Sequence, residues 1–338
     1  MKLAVIGHSM IALRQQLFFQ EVARQGHQVL VVSPGMWGRE RVDPYEVGSF
    51  RLVTCRHIGT DIYSFQLLGA RAHVEAFQPD WLYIQQEATS VLAQESLDWA
   101  LSARRALFTW ENLRPYNTSA VLRGYNLIVC GNDDAEKLIK AVAPEVPTVI
   151  LPQVGVDTDH FQARPIQRDD RAVFIGRDAP EKGFALAQGV WPTLRALAFT
   201  PFKALPWAYS STQLVVCPSV DSNYWLEQAM PYVAVEASAC LTPVITTRAG
   251  SIPFWQERWA GPNPGVRLVA PLGRLRVTPD GRSMQVEPGP GLVELAQAIP
   301  EILNDQAKRQ EMGRAGREWV MEHLSNPVIA RKLVEALS

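Results

Sequence analysis

Leu214-Val215-Val216-Cys217-Pro218-Ser219 decides the fold together with Val235-Glu236-Ala237-Ser238-Ala239-Cys240-Leu241-Thr242-Pro243-Val244-Ile245-Thr246-Thr247-Arg248-Ala249-Gly250-Ser251-Ile252-Pro253. The first stretch is an apolar strand that ends at a proline. The loop after it carries an acid, Glu227, within Trp225-Leu226-Glu227-Gln228. A helix of small residues follows, with Glu236 at its start, and then an extended run broken by Gly250. Two carboxylates at the mouth of a parallel sheet suit a hydroxyl-rich ligand, because ionised carboxylates only accept hydrogen bonds and sugar hydroxyls donate them.

Upstream the same alternation continues. Apolar strands read at Leu3 to Ile6, Gln28 to Ser33, Arg51 to Cys55, Trp81 to Gln85, Ala106 to Thr109 and Asn126 to Cys130, with helical segments between most of them. Continuous apolar strands that alternate with helices indicate a parallel sheet covered on both faces. Ligands bind such sheets beyond the carboxyl ends of the strands. Those ends carry Gly7-His8-Ser9, Gln86-Glu87, Thr109-Trp110-Glu111-Asn112 and Gly131-Asn132. A break at Ala143-Pro144-Glu145-Val146-Pro147 through Gln153-Val154-Gly155 precedes a restart at the strand Ala172 to Ile175. Two domains are therefore expected, 1–152 and 153–338. Loops or a hairpin are expected at Gly261 to Gly291, and two amphipathic helices with a last one, Val328 to Leu337, close the chain.

With 338 residues and 47% hydrophobic side chains, the chain can bury two cores. A net charge of −1 gives no global case for nucleic acid as a partner. The first strand begins at Lys2, which leaves no room for a signal peptide, and no apolar run approaches the roughly 18 residues of a membrane span. Four cysteines without short spacing read as buried reduced thiols of an intracellular protein.

Phe174-Ile175-Gly176-Arg177-Asp178-Ala179-Pro180-Glu181-Lys182-Gly183 is a strand, a glycine turn and a helix start. Glycine lets backbone N–H groups approach a ligand, and two cations complete a clamp for a diphosphate. A solvated charged turn, with Asp178 and Glu181 pairing the cations, is the plainer alternative. Asp157-Thr158-Asp159 has a D-x-D pattern, but no Asp, Glu or His cluster shows convincing metal-ligand spacing, so no metal is expected.

The Gly176-Arg177 and Glu181-Lys182-Gly183 element, the Pro218-Ser219 turn and the pair Glu227 and Glu236 resemble retaining glycosyltransferases of family 4, among the glycosyl transferases of group 1. The resemblance implies the α/β GT-B fold: two Rossmann-like domains with parallel sheets facing an interdomain cleft. The amino-terminal domain would lie on the acceptor side and the carboxyl-terminal domain would hold the nucleotide sugar. The last helices, about 321–338, would pack back on the first domain. By the same resemblance Arg177 and Lys182 stabilise the leaving diphosphate, Gly176 and Ser219 contact the donor, Glu236 takes ribose hydroxyls and Glu227 lies near the donor sugar. Gly7, His8, Gln86, Glu87 and Asn112 become candidate contacts of the acceptor or donor sugar. Asp157-Thr158-Asp159 resembles the family's interdomain linker.

Two departures stand out. Eight residues separate Glu227 from Glu236, where the family has seven. Only Phe184 to Gln213 lies between the glycine-arginine element and the Pro218 strand, so the second domain is trimmed. The expected activity is metal-independent transfer of a sugar, with retention, from a UDP- or GDP-linked donor to a glycan, lipid-linked or small-molecule acceptor. No cofactor is expected beyond the nucleotide-sugar co-substrate. The resemblance further implies polysaccharide biosynthesis and a cytoplasmic location, including the inner face of the membrane as a peripheral protein. The alternative is a catalytically inactive pseudo-enzyme that binds a sugar nucleotide or regulates a partner.

Overall fold

The computed structural model describes residues 1–110, 119–198, 200–222, 230–277 and 284–338. The chain divides into two compact units, residues 1–155 with 326–338 and residues 156–325.

The first unit is built on seven parallel strands: β1 Lys2–Ile6, β2 Gln28–Pro34, β3 Phe50–Ile58, β4 Trp81–Gln85, β5 Arg104–Thr109, β6 Leu127–Cys130 and β7 Thr148–Ile150. Their order across the sheet is β7-β6-β5-β4-β1-β2-β3, and Tyr45–Val47 adds an antiparallel edge to β3. Every residue of β4 and β6 is buried, as expected of strands covered on both faces. Ala4, Ile6, Leu30, Val32, Leu82, Ile84, Leu107 and Ile128 pack into one core. Each fully buried aliphatic side chain there contributes roughly 1.5–3 kcal/mol. The sheet grows in one direction from β1 through β2 to β3 and then returns to place β4 on the other side of β1. Strand order therefore reverses between β1 and β4, where a sheet of this kind opens a crevice.

The second unit repeats the plan with fewer strands: β8 Asp169–Ile175, β9 Arg195–Leu197, β10 Thr212–Cys217, β11 Val244–Thr247 and β12 Val266–Val269. All are parallel, in the order β9-β8-β10-β11-β12, and the reversal falls between β8 and β10. Phe174, Leu214, Val216, Ile245 and Val269 of the sheet pack with Leu295, Ile299 and Ile302 of the helix Gly291–Leu303. Between β8 and β10 the described residues form the helices Phe184–Val190 and Leu205–Ser210, the three-residue β9 and short 3-10 turns. This is the trimmed second domain. The expected hairpin is present as Gly273–Val277 paired antiparallel with Met284–Pro288.

The chain passes from the first unit to the second at Gly155 and back at Asn326. Val156 and Ser325 form a β-bridge, and the Val156 N–H donates to the Leu324 carbonyl at 2.7 Å. The helix Asn326–Leu337 then packs on the helix Leu13–Arg24 within the first unit. It begins at Asn326, two residues before the Val328 start expected from sequence, because a proline in the first helical turn lacks only an N–H that would have no partner in the helix.

Candidate active site

In the second unit the reversal between β8 and β10 joins two turns. Gly183 has φ +67°, a left-handed conformation that favours glycine, and a Cβ there would lie 2.0 Å from the Pro218 carbonyl oxygen. That contact lets the turn after β8 lie directly on the turn after β10. The Val220 N–H donates to the Glu181 carbonyl at 3.0 Å and ties the two together. The Thr247 hydroxyl at the end of β11 donates to the Ser219 carbonyl at 2.7 Å. Gly176, Arg177 and Lys182 thus share one loop that rests on Pro218-Ser219. Ser219 itself is buried.

Arg177 is exposed and its Nη2 lies 2.8 Å from Glu181 Oε1, so the pairing of the charged turn is real. Lys182 ends the single 3-10 turn Pro180–Lys182. Glu236 is the fifth residue of the helix Tyr232–Ala239, not an acid at its start, and only 1% of it is exposed. The Tyr209 hydroxyl donates to its Oε2 at 3.0 Å. Burial, with the Glu236 carboxylate as the next cause, pushes the Cys240 thiol up to about 12. Nothing in the sequence singled out Tyr209; it reaches Glu236 from a helix 27 positions earlier. Glu227 and Asn112 lie outside the described residues.

Asp157 Oδ1 accepts the backbone N–H groups of Asp159 and His160, at 3.1 and 3.0 Å. The D-x-D pattern therefore forms a local turn. Among the described residues no three His, Cys, Asp or Glu side chains gather as a metal-ligand set.

In the first unit the reversal between β1 and β4 brings Gly7-His8 beside Gln85-Gln86-Glu87. A Cβ on Gly7 would lie 2.7 Å from the Gln85 carbonyl oxygen, so the close approach of the two strand ends depends on glycine. His8 Nδ1 and the Gln86 amide are 2.7 Å apart. The amide orientation that satisfies both ends has its oxygen accepting from the His8 backbone N–H (3.1 Å) and from Nδ1, while its nitrogen donates to the Ile62 carbonyl (3.2 Å). That orientation places the His8 proton on Nδ1. Burial lowers the His8 pKa to about 4, and the bond to Gln86 offsets only part of this. The ring packs 5.6 Å from Trp37 and 6.1 Å from Phe65, aromatic neighbours that the sequence pattern did not indicate. Gln153 donates to Ser9 Oγ at 3.3 Å and to Gln85 Oε1 at 3.2 Å. Glu87 is 3% exposed; its Oε2 accepts from the Thr109 hydroxyl and its Oε1 accepts the Trp110 N–H at 3.0 Å. Its carboxylate braces the ends of β4 and β5.

Residues 152–261 match the family of glycosyl transferases group 1. No curated protein matches the sequence. Among solved structures, a sucrose-phosphate synthase from Thermosynechococcus elongatus superposes with a TM-score of 0.72 at 15% identity, over 99% of this chain and 97% of that one. Anabaena Alr3699/HepE in complex with UDP and glucose gives 0.65 at 15% identity, over 100% and 99% of the two chains. A trehalose-6-phosphate synthase, in a structure concerned with glycosyltransfer with retention, gives 0.69 at 10% identity, over 99% and 98%. The chain has the GT-B fold of glycosyltransferases, and its residues 152–261 match the model of the glycosyl transferases group 1.

Proposed function

We propose that this protein is a retaining glycosyltransferase that moves a sugar from a UDP-linked donor to a glycan or lipid-linked acceptor. One observation carries the proposal: two turns meet at the strand-order reversal of the second unit and hold Arg177 and Lys182 on one loop, inside the region that matches group 1. UDP and glucose bound to the similar Anabaena protein support the donor class, and the trehalose-6-phosphate synthase supports retention. In this reaction the bond between the anomeric carbon and the diphosphate oxygen breaks. Negative charge grows on the leaving group, and the two cations of this loop stabilise it where it develops. Arg177 exchanges Glu181 for the diphosphate; the arginine is exposed and free to swing, whereas the Glu181 side chain is largely buried and stays in place. The acceptor proton passes to the leaving phosphate oxygen. Gln86 has no proton to exchange, and His8 is neutral near pH 7, which suits a step that needs no protein acid.

Glu236 is the proposed partner of the ribose hydroxyls, held in position by Tyr209. At 1% exposure it must be uncovered when the donor binds. The eight-residue spacing of Glu227 and Glu236 and the trimmed second domain favour the second reading, a sugar-nucleotide binding subunit without turnover. Among the described residues no helix is long and apolar enough to cross a membrane. The proposed setting is the cytoplasm or the inner membrane face, in polysaccharide assembly. Thermal-shift screening of nucleotide sugars followed by turnover assays tests both readings. A ligand at 100 times its Kd stabilises by about 2.7 kcal/mol. A donor that is bound but neither transferred nor hydrolysed would establish the binding subunit. Because side chains supply the positive charge here, transfer should persist in EDTA; loss restored by manganese or magnesium would refute that part.

A further inference from the structure

At the amino-terminal edge of the second unit's sheet, opposite the Arg177 loop, lies a cavity of about 690 Å³. Arg168, Arg309 and Arg314 line it, and no lining residue is acidic. Among the described residues none of the three makes an ion pair. Two of the guanidinium groups are locked in place. Arg168 donates through Nη1 to the Thr212 carbonyl (2.8 Å) and the Thr242 hydroxyl (2.9 Å), and through Nη2 to the Cys240 and Leu241 carbonyls (3.2 and 2.9 Å). Arg309 donates to the carbonyls of Ile302 and Leu303. Carbonyls orient these cations but do not neutralise them, and Arg309 lies close enough to Arg168 for their charges to repel. Gln306, Arg309, Gln310 and Arg314 recur at the spacing of one face of the helix Gln306–His323, so that face is aimed into the cavity.

We propose that this cavity binds a sugar phosphate. Arg168 spends its four Nη protons on protein acceptors and contributes positive charge, while Arg309, bonded through Nη1 alone, and Arg314 supply the N–H donors that fit a phosphate oxyanion. The volume exceeds what a lone phosphate fills and falls within the range of small-molecule sites. Gln167, Gln306 and Gln310 line the remainder, and a glutamine amide carries both a donor and an acceptor for hydroxyl groups. No aromatic ring is present on which a base would stack, which favours a sugar phosphate over a nucleotide.

The test is calorimetry on the full chain with glucose 6-phosphate, inorganic phosphate and glucose as separate probes. Glucose 6-phosphate should bind at one site per chain, at least tenfold tighter than either other probe. Arg314 is exposed, so Arg314→Glu should leave thermal unfolding unchanged and weaken glucose 6-phosphate at least thirtyfold. Gln310→Ala should weaken glucose 6-phosphate more than inorganic phosphate, and Lys182→Ala should leave its affinity unaltered. Absence of binding, or unchanged affinity in Arg314→Glu, overturns the proposal. Equal affinity for inorganic phosphate reduces the cavity to a bare anion site and overturns the sugar-phosphate assignment. Loss of affinity in Lys182→Ala places the ligand on the other edge of the sheet and overturns the location.

Discussion

Gly183→Ala is the most exacting test of how the candidate site is assembled. At φ +67° any side chain puts the residue in a left-handed conformation, which costs an L-residue roughly 1–2 kcal/mol. The new Cβ would also lie 2.0 Å from the Pro218 carbonyl oxygen, about 1 Å inside the closest separation that real Cβ atoms show. One of the two turns must then move, and overpacking of this kind costs typically ~1–3 kcal/mol. The sum is about 2–5 kcal/mol. A matched control separates the two contributions: Gly26 also has a left-handed φ, +91°, but nothing lies within 4 Å of its Cβ position. Gly26→Ala should therefore cost only the conformational part, about 1–2 kcal/mol. Chemical denaturation followed by circular dichroism measures both variants, and calorimetry measures UDP affinity. Gly183→Ala should weaken UDP at least tenfold, because Arg177 and Lys182 ride on the turn that moves; Gly26→Ala should not. Equal stability and UDP affinity in the two variants would refute the claim that contact between the turns builds the site.

Lys182→Ala and Arg177→Ala should each lower sugar transfer on the order of 10²-fold with little effect on folding; full activity in both would remove the clamp from the mechanism. Tyr209→Phe strips a hydroxyl donor from a buried carboxylate and should destabilise the second unit by roughly 1.5–3 kcal/mol, read by denaturation. Wild-type stability would show that Tyr209 does not hold Glu236. His8 has a folded pKa of about 4 against 6.5 in the unfolded chain, so the unfolded state takes up a proton first as pH falls. Its contribution is fully present above pH 6.5 and is lost as pH falls from 6.5 towards 4, by about 3 kcal/mol in all. His8→Asn should flatten stability against pH in that window; identical slopes in parent and variant would contradict it.

The central strands were legible because they are continuous apolar runs: β1, β2, β4, β6 and β10 stand out by composition alone. The strands that the pattern hides are short or only partly buried. All three residues of β7 are half-buried, β9 is mostly exposed, and two of the four in β12 are half-buried with one exposed, so none shows a fully apolar run. The turn residues Gly7, Gly176 and Gly183 could be read as a chemical pattern, since glycine at a strand end marks backbone that must turn sharply or lie close to a neighbour. Their partners could not. Tyr209, Trp37 and Gln153 reach their contacts across long sequence separations, and no local spacing encodes such a contact. The bracing role of Glu87 was equally hidden, because a buried carboxylate and an exposed one are spelled the same way.

The passage of the chain at Gly155 and its return at Asn326 have a consequence for biosynthesis. A ribosome emits the second unit whole, from Val156 to Ser325, before it has made the helix that completes the first. Until Asn326–Leu337 emerges, the helix Leu13–Arg24 lacks its helical partner, whose Ile329, Ala330, Leu333 and Leu337 are buried in the finished protein. The amino-terminal half must therefore wait, with apolar surface open to water, while the later half folds, an order that exposes nascent chains to aggregation. Chains truncated after Ser325 would keep that exposed surface permanently.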